Sequence, residues 1–223
     1  ERGGGDRVRN IERAIAALRR GLEVRTRQAD PDGWRTSTIN LALAYSDRAK
    51  GRRAANLDRA LALLDAAAAA SPRGSFNWAK IQTQRAAILF DQVHGRRSAN
   101  LARALQAGRA AMAVFDPDAA PREWSNAVMV TANALSERAH LAGAGASEEA
   151  IALLESLRGR LSGRAFASER ATAALNLGTA YTTRAAGSHA ENQERAISYC
   201  EEALKVFARD SAPIDWASLQ INL

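Results

Sequence analysis

Apolar residues in this chain return at helical spacing in short blocks, and the blocks themselves return. After Trp34, the residues Ile39, Leu41, Ala42, Ala44 and Tyr45 fall near one stripe of a helix, and Gly51 is placed to close it. Asn56 is placed to cap the next helix through its side-chain oxygen, and that helix carries Ala60, Leu61, Leu63, Leu64 and Ala67. The same pattern predicts helices over 8–28, 33–50, 55–70, 76–94, 99–115, 121–141, 147–161, 166–186, 191–209 and from 214 onward. The intervening loops are short, so neighbouring helices are expected to run antiparallel.

Two strings recur with one period. The string Asn-x-x-Arg-Ala-Ile/Leu begins at Asn10, Asn56, Asn100 and Asn192, with a degenerate copy at Glu148-Glu149-Ala150-Ile151. Its alanines, Ala14, Ala60, Ala104, Ala150 and Ala196, are spaced by 46, 44, 46 and 46 residues. A second string begins at Trp34, Trp78, Trp124 and Trp216, with Arg170 in the remaining slot, spaced by 44, 46, 46 and 46. The shared period defines a repeat of two amphipathic helices, neither able to bury its apolar stripe without neighbours. The units are 31–73, 74–118, 119–163 and 164–210, with partial units at 1–30 and 211–223. Because both ends cut through a unit, residues 1–223 read as a single array that is a fragment of a longer one.

A period of 44 to 46 lies in the range of HEAT and armadillo repeats, but the residues point elsewhere. Asn176-Leu177-Gly178-Thr179-Ala180-Tyr181 resembles the Leu-Gly-x-x-Tyr core of a tetratricopeptide (TPR) first helix. Ala196-Ile197-Ser198-Tyr199-Cys200-Glu201-Glu202-Ala203-Leu204 resembles its second helix, with small residues at Ala196 and Ala203 and a larger core residue at Cys200. Tyr181 and Ala196 are 15 apart, where a standard unit has about nine. Two insertions of about six residues lengthen a 34-residue unit to this period. The first repeat keeps Asn40-Leu41-Ala42-Leu43-Ala44-Tyr45, while Arg85 and Leu89, then Thr131 and Leu135, replace Leu and Tyr in the next two. The glycine slot is always small: Ala42, Ala86, Ala132 and Gly178. The chain thus resembles the long TPR arrays of bacterial regulatory proteins, some of which precede caspase-like (CHAT) peptidase domains or accompany signalling NTPases. The fold implied is all-α, a right-handed α-solenoid of antiparallel helix pairs.

Composition agrees with helix and removes several classes. Of 223 residues, 47% are hydrophobic and only 5% aromatic, with 15 Gly and 5 Pro, which argues against a sandwich, a barrel or a disordered tail. One cysteine, Cys200, excludes a disulfide scaffold and a cysteine-only zinc site. No apolar run is long enough to cross a bilayer, and no signal peptide is visible, so a cytoplasmic protein is expected. The +7 charge is a gradient: residues 1–53 carry +6, 54–97 carry +3, 98–143 carry 0, 144–189 carry +1 and 190–223 carry −3. A phosphate backbone followed along several repeats would need basic residues in each, so nucleic acid is disfavoured.

Catalytic groups are scarce. His94, His140 and His189 lie 46 and 49 residues apart near helix ends, a spacing suited to surface loops rather than to one metal or acid–base pocket. Cys200 occupies a core slot shared with Leu18, Leu64 and Leu154. Gly3-Gly4-Gly5 lacks the Lys and Ser/Thr of a phosphate loop. The tryptophans, one per repeat, are expected to cover helix junctions, Asn10, Asn56, Asn100 and Asn192 to act as caps or loop staples, and Arg48, Arg138 and Arg184 to pair with neighbouring repeats. No catalytic residue, metal ligand or cofactor is expected.

The TPR resemblance implies that the first helix of each pair lines a concave groove for a peptide. The residue before the core Leu then faces it: Asn40, Gln84, Val130, Asn176 and Asn222. Amides at this slot both donate and accept. With them the expected groove comprises Thr36, Asn40, Asp47, Lys80, Gln84, Asp91, Asn126, Glu137, Thr172, Asn176 and Thr183, mixed in sign. The expected function is a non-catalytic scaffold that binds a protein segment or regulates a fused effector domain. The alternatives are a nucleic-acid binder using the basic first third, and head-to-tail self-assembly of the basic and acidic ends.

Overall fold

A computed structural model describes residues 2–143, 145 and 147–222. Among them are ten α-helices: α1 (Arg2–Val24), α2 (Pro31–Ser46), α3 (Arg53–Ala69), α4 (Phe76–Asp91), α5 (Arg97–Met112), α6 (Pro121–Leu141), α7 (Glu148–Arg160), α8 (Ala167–Thr183), α9 (His189–Leu204) and α10 (Pro213–Asn222). One 3-10 turn, Arg164–Phe166, precedes α8, and none of the described residues forms a strand. The fold is all-α, with a helix for each one the periodicity predicts. No described helix is long and apolar enough to cross a membrane.

Helix starts follow from local chemistry. Pro31, Pro121 and Pro213 open α2, α6 and α10, where a missing N–H is harmless and the fixed φ fits. Asp30 accepts from the Gly33 amide at 2.9 Å and Ser75 from the Trp78 amide at 3.2 Å, capping α2 and α4. Helix α6 ends at Leu141 as the periodicity predicts, but most other helix ends fall earlier. The chain leaves the helix at Ser46, Asp91 and Thr183, and then passes through Gly51, Gly95 and Gly187 at φ of 81°, 79° and 81°. Gly51 is therefore a loop residue beyond the C-cap Asp47, not the cap itself.

Asn56, Asn100 and Asn192 act as loop staples rather than as caps. The N-cap positions of α3, α5 and α9 are Arg52, Arg96 and Ser188, and Asn56, Asn100 and Asn192 lie one turn inside, buried. Each turns its Nδ2 back to the loop. Asn56 donates to the carbonyls of Arg48 and Lys50 (3.1 and 2.9 Å), Asn100 to that of His94 (2.8 Å), and Asn192 to those of Arg184 and Ala186 (3.4 and 2.8 Å). The side chain satisfies carbonyls that the ended helix leaves without partners.

Contacts divide the chain into two compact units, Glu1–Val114 and Phe115–Leu223. Within the first, α1 packs on α2, α2 on α3, α3 on α4 and α4 on α5. Within the second the same succession runs from α6 to α10, and α8 also touches α6 and α10. Small residues stand where helices approach. Ala42, Ala86, Ala132 and Gly178 are buried on the first helices, as are Ala60, Ala104, Ala150 and Ala196 on the second. Leu57, Leu64, Leu101, Leu154 and Leu177 fill the space between them.

Two ion pairs recur at one slot. Arg48 meets Glu12 through Nε and Nη2 (2.7 and 2.9 Å), and Arg184 meets Glu148 in the same fork (2.8 and 2.7 Å). Both pairs join neighbouring repeats, as the spacing predicts for Arg48 and Arg184, while Arg138 is exposed in the last turn of α6. At the equivalent place between α3 and α4, Gln92 and His94 both reach Asp58 (2.9 and 2.8 Å). The Arg48 and Arg184 hydrogen bonds hold Glu12 and Glu148 below the ordinary glutamate range. Their contribution is therefore complete above that range and is lost as pH falls through the lowered values. A pH series of thermal melts should show an acid-side loss of stability that the Glu12→Gln, Glu148→Gln double variant flattens. An unchanged acid limb would show that the pairs contribute nothing.

Candidate functional site

The exposed stripes of the first helices are where the sequence places a groove. On α2, Thr36 and Asn40 are exposed, one turn apart, and Asp47 follows at the C-cap, while Ser37, Thr38, Leu41, Ala42 and Tyr45 are buried on the opposite side. On α4, Lys80 and Asp91 are exposed and Gln84 half-buried, again at helical spacing. Asp91 accepts from Arg53 Nη2 at 3.2 Å, Asp47 lies 4.0 Å from Arg7, and Lys80 lies 6.0 Å from the Phe76 ring centroid. The first unit thus presents alternating amide, hydroxyl, carboxylate and ammonium groups.

In the second unit, Asn126 is exposed and Glu137 half-buried on α6, and α8 carries Thr172, Asn176 and Thr183. Asn176 is engaged: its Nδ2 donates to Asn133 Oδ1 at 2.9 Å and lies 3.1 Å from Met129 Sδ, tying α8 to α6. Thr172 and Thr183 turn their hydroxyls to the carbonyls of Ser168 and Thr179, inside their own helix (3.0 and 3.2 Å). The side chain of Asn222 lies outside the described residues. The repeat pattern gave no sign of Asn133, because its slot holds Leu43, Ala87 and Thr179 elsewhere.

A second polar constellation lies on the other side of the helix pairs. Glu155 Oε1 accepts from the Tyr181 and Tyr199 hydroxyls at 2.7 and 3.2 Å, and Arg195 Nη1 donates to the Tyr181 oxygen at 3.0 Å. The two rings stack with centroids 5.6 Å apart, Arg158 lies 4.8 Å from the Tyr199 centroid, and Arg158 pairs with Glu202. Burial first, then the Glu155 charge, pushes the Tyr199 phenol up to about 12. Its stabilising contribution is whole below the ordinary tyrosine value near 10 and is lost as pH rises through about 12. Absorbance titration should show this late phenol, and Tyr199→Phe should remove it. A Tyr199→Phe titration superimposable on the parent would contradict the placement.

The remaining candidates sit apart. His94, His140 and His189 are exposed, His94 beside Asp58 and the others at helix ends. Cys200 is fully buried beneath Gly178, and burial raises its thiol. Among the described residues no cluster of three or more His, Cys, Asp or Glu is arranged to hold a metal. Trp34, Trp124 and Trp216 each lie near an arginine, Arg27, Arg160 and Arg209, at 5.6 to 5.9 Å. They stand one per helix start, each with its own guanidinium, rather than as a shared cage. No protein-family model matches the chain, and no curated protein matches it significantly in sequence.

Proposed function

We propose that this chain is a TPR-like, non-catalytic scaffold that binds an extended protein segment along the exposed stripes of its first helices. The observation that carries this reading is the stripe itself. Thr36, Asn40 and Asp47 on α2 and Lys80, Gln84 and Asp91 on α4 repeat an amide flanked by other polar groups at corresponding positions of successive repeats. A carboxamide both donates and accepts, which suits the paired N–H and C=O groups of a peptide backbone. The mixed signs favour a segment that is itself mixed, or a fused effector domain, over a polyanion. Under this reading the helix pairs continue as a right-handed solenoid and the protein works in the cytoplasm.

Peptides selected from a random phage-displayed library on the full chain supply the probe. Asn40→Ala with Gln84→Ala should weaken the selected peptide about tenfold or more by calorimetry, the loss of two or three backbone hydrogen bonds. The double variant should keep the parent melting temperature, since both residues lie at or near the surface. Unaltered affinity would remove the first-helix stripes from the binding surface.

A further inference from the structure

The first unit contains a cleft of about 520 Å³ over α4, lined from α3 by Asp65, Ala68 and Ala69, from α4 by Trp78, Gln82, Arg85 and Leu89, and from α5 by Arg103, Gln106, Ala107 and Ala110. Its α4 residues recur at helical spacing on the face opposite Lys80, Gln84 and Asp91, so it is separate from the stripes proposed above. Its volume is that of a small-ligand site.

The repeat register explains why it is open. Counting from Ala60 and Ala150 on the flanking second helices, Asp65 corresponds to Glu155 and Ala68 to Arg158. Counting from Ala104 and Ala196, Arg103 corresponds to Arg195, Ala107 to Tyr199 and Ala110 to Glu202, and on the first helices Leu89 corresponds to Tyr181. In the α7–α8–α9 set these slots hold two stacked phenols, with Glu155 accepting from both hydroxyls and Arg195 donating to one. In the α3–α4–α5 set the carboxylate and the guanidinium remain, while both rings and the Arg158–Glu202 pair are replaced by Leu and Ala. The α1–α2–α3 set keeps a ring at this slot, Tyr45, with Arg19, Arg48 and Arg59 around it at 5.9 to 6.0 Å.

We infer that the α3–α4–α5 cleft binds a phenol group, the side chain of a tyrosine presented by a partner protein, in the place the chain's own tyrosines occupy between α7 and α9. The ring lies over Ala68, Ala107 and Ala110 with Trp78 at its side, above the buried Leu89. The hydroxyl donates to Asp65, which Arg85 Nε holds at 2.7 Å and which is still 49% exposed, and it accepts from Arg103. The cationic rim of Arg73, Arg85 and Arg103 favours a tyrosine with acidic neighbours.

The test is an amide and indole chemical-shift titration of the full chain with p-cresol, the tyrosine side-chain analogue, and with N-acetyl-tyrosinamide. Toluene, which lacks the hydroxyl, is the control. Both phenols should give saturable shifts at Ala68, Ala107, Ala110 and the Trp78 indole, and toluene should bind about fivefold more weakly, the worth of one hydrogen bond. Ala107→Tyr with Leu89→Tyr, which restores the tyrosine pair, should keep the parent helical circular dichroism and abolish the p-cresol shifts. Ala107→Met, a milder filling, should weaken them. Absence of saturable shifts at the cleft, equal binding of toluene and p-cresol, or p-cresol binding unchanged in Ala107→Met would each overturn the assignment. None of these results bears on the first-helix stripes, which Asn40 and Gln84 test.

Discussion

Leu177→Ala is expected to destabilise the second unit by about 2–5 kcal/mol, the range for truncating a fully buried leucine. Leu177 is 0% exposed on α8, the helix that packs on α7 and α9 and also touches α6 and α10. Its removal opens a cavity that its neighbours on α8 are too small to fill: Ala173, Ala174, Gly178 and Ala180 are all buried. Those residues cannot move into the gap without the helices themselves moving closer. Urea unfolding followed by circular dichroism checks this. A midpoint within error of the parent would mean that Leu177 does not hold these helices together.

Ala196→Leu is expected to cost about 1–3 kcal/mol by overpacking. Ala196 is 3% exposed on α9, and a Cβ built on the facing Gly178 of α8 would lie 2.6 Å from Cys200 Sγ and 3.4 Å from the Ala196 carbonyl oxygen. The two backbones are already as close as glycine permits, so added methylenes can fit only by separating α8 from α9. Ala60→Leu, at the corresponding slot of α3 and 0% exposed, should behave alike in the first unit. Ala62→Leu, exposed on the same helix, should change stability by no more than about 0.5 kcal/mol. Equal melting temperatures for Ala60→Leu and Ala62→Leu would contradict the alignment of the small-residue slot.

Helix number, order and small-residue slots were legible because they rest on periodicity, which one sequence displays in full. Ends were less so. The periodicity carries α2 and α8 on to 50 and 186, but the helices end at Ser46 and Thr183, and the left-handed Gly51 and Gly187 turn the loop only several residues later. For Asn56, Asn100 and Asn192 the sequence allows a cap or a loop staple, because an amide near a helix start can do either. Their place one turn inside depends on where the preceding loop brings its carbonyls. The chain has 28 Arg against three Lys, and guanidinium groups lie near the rings of Tyr45, Phe90, Trp124, Phe166, Tyr181, Tyr199 and Trp216, a contact that suits a planar cation. Of the groove residues, the exposure of Thr36, Asn40, Lys80, Asp91 and Asn126 was readable from the stripe, but the half-burial of Gln84, Glu137 and Thr172 and the engagement of Asn176 by Asn133 were not. The cleft over α4 was invisible for the opposite reason. It arises from what Leu89, Ala107 and Ala68 lack relative to another repeat, which matters only once the helices are placed together.

The proposed binding mode lays a protein segment along the first helices. Backbone chemical-shift mapping of the full chain with a library-selected peptide tests it most directly. Saturable shifts are expected along Thr36–Asp47 of α2 and Lys80–Asp91 of α4, with the exposed faces of α3 and α5 unmoved. Shifts confined to those second helices, with α2 and α4 silent, would contradict it.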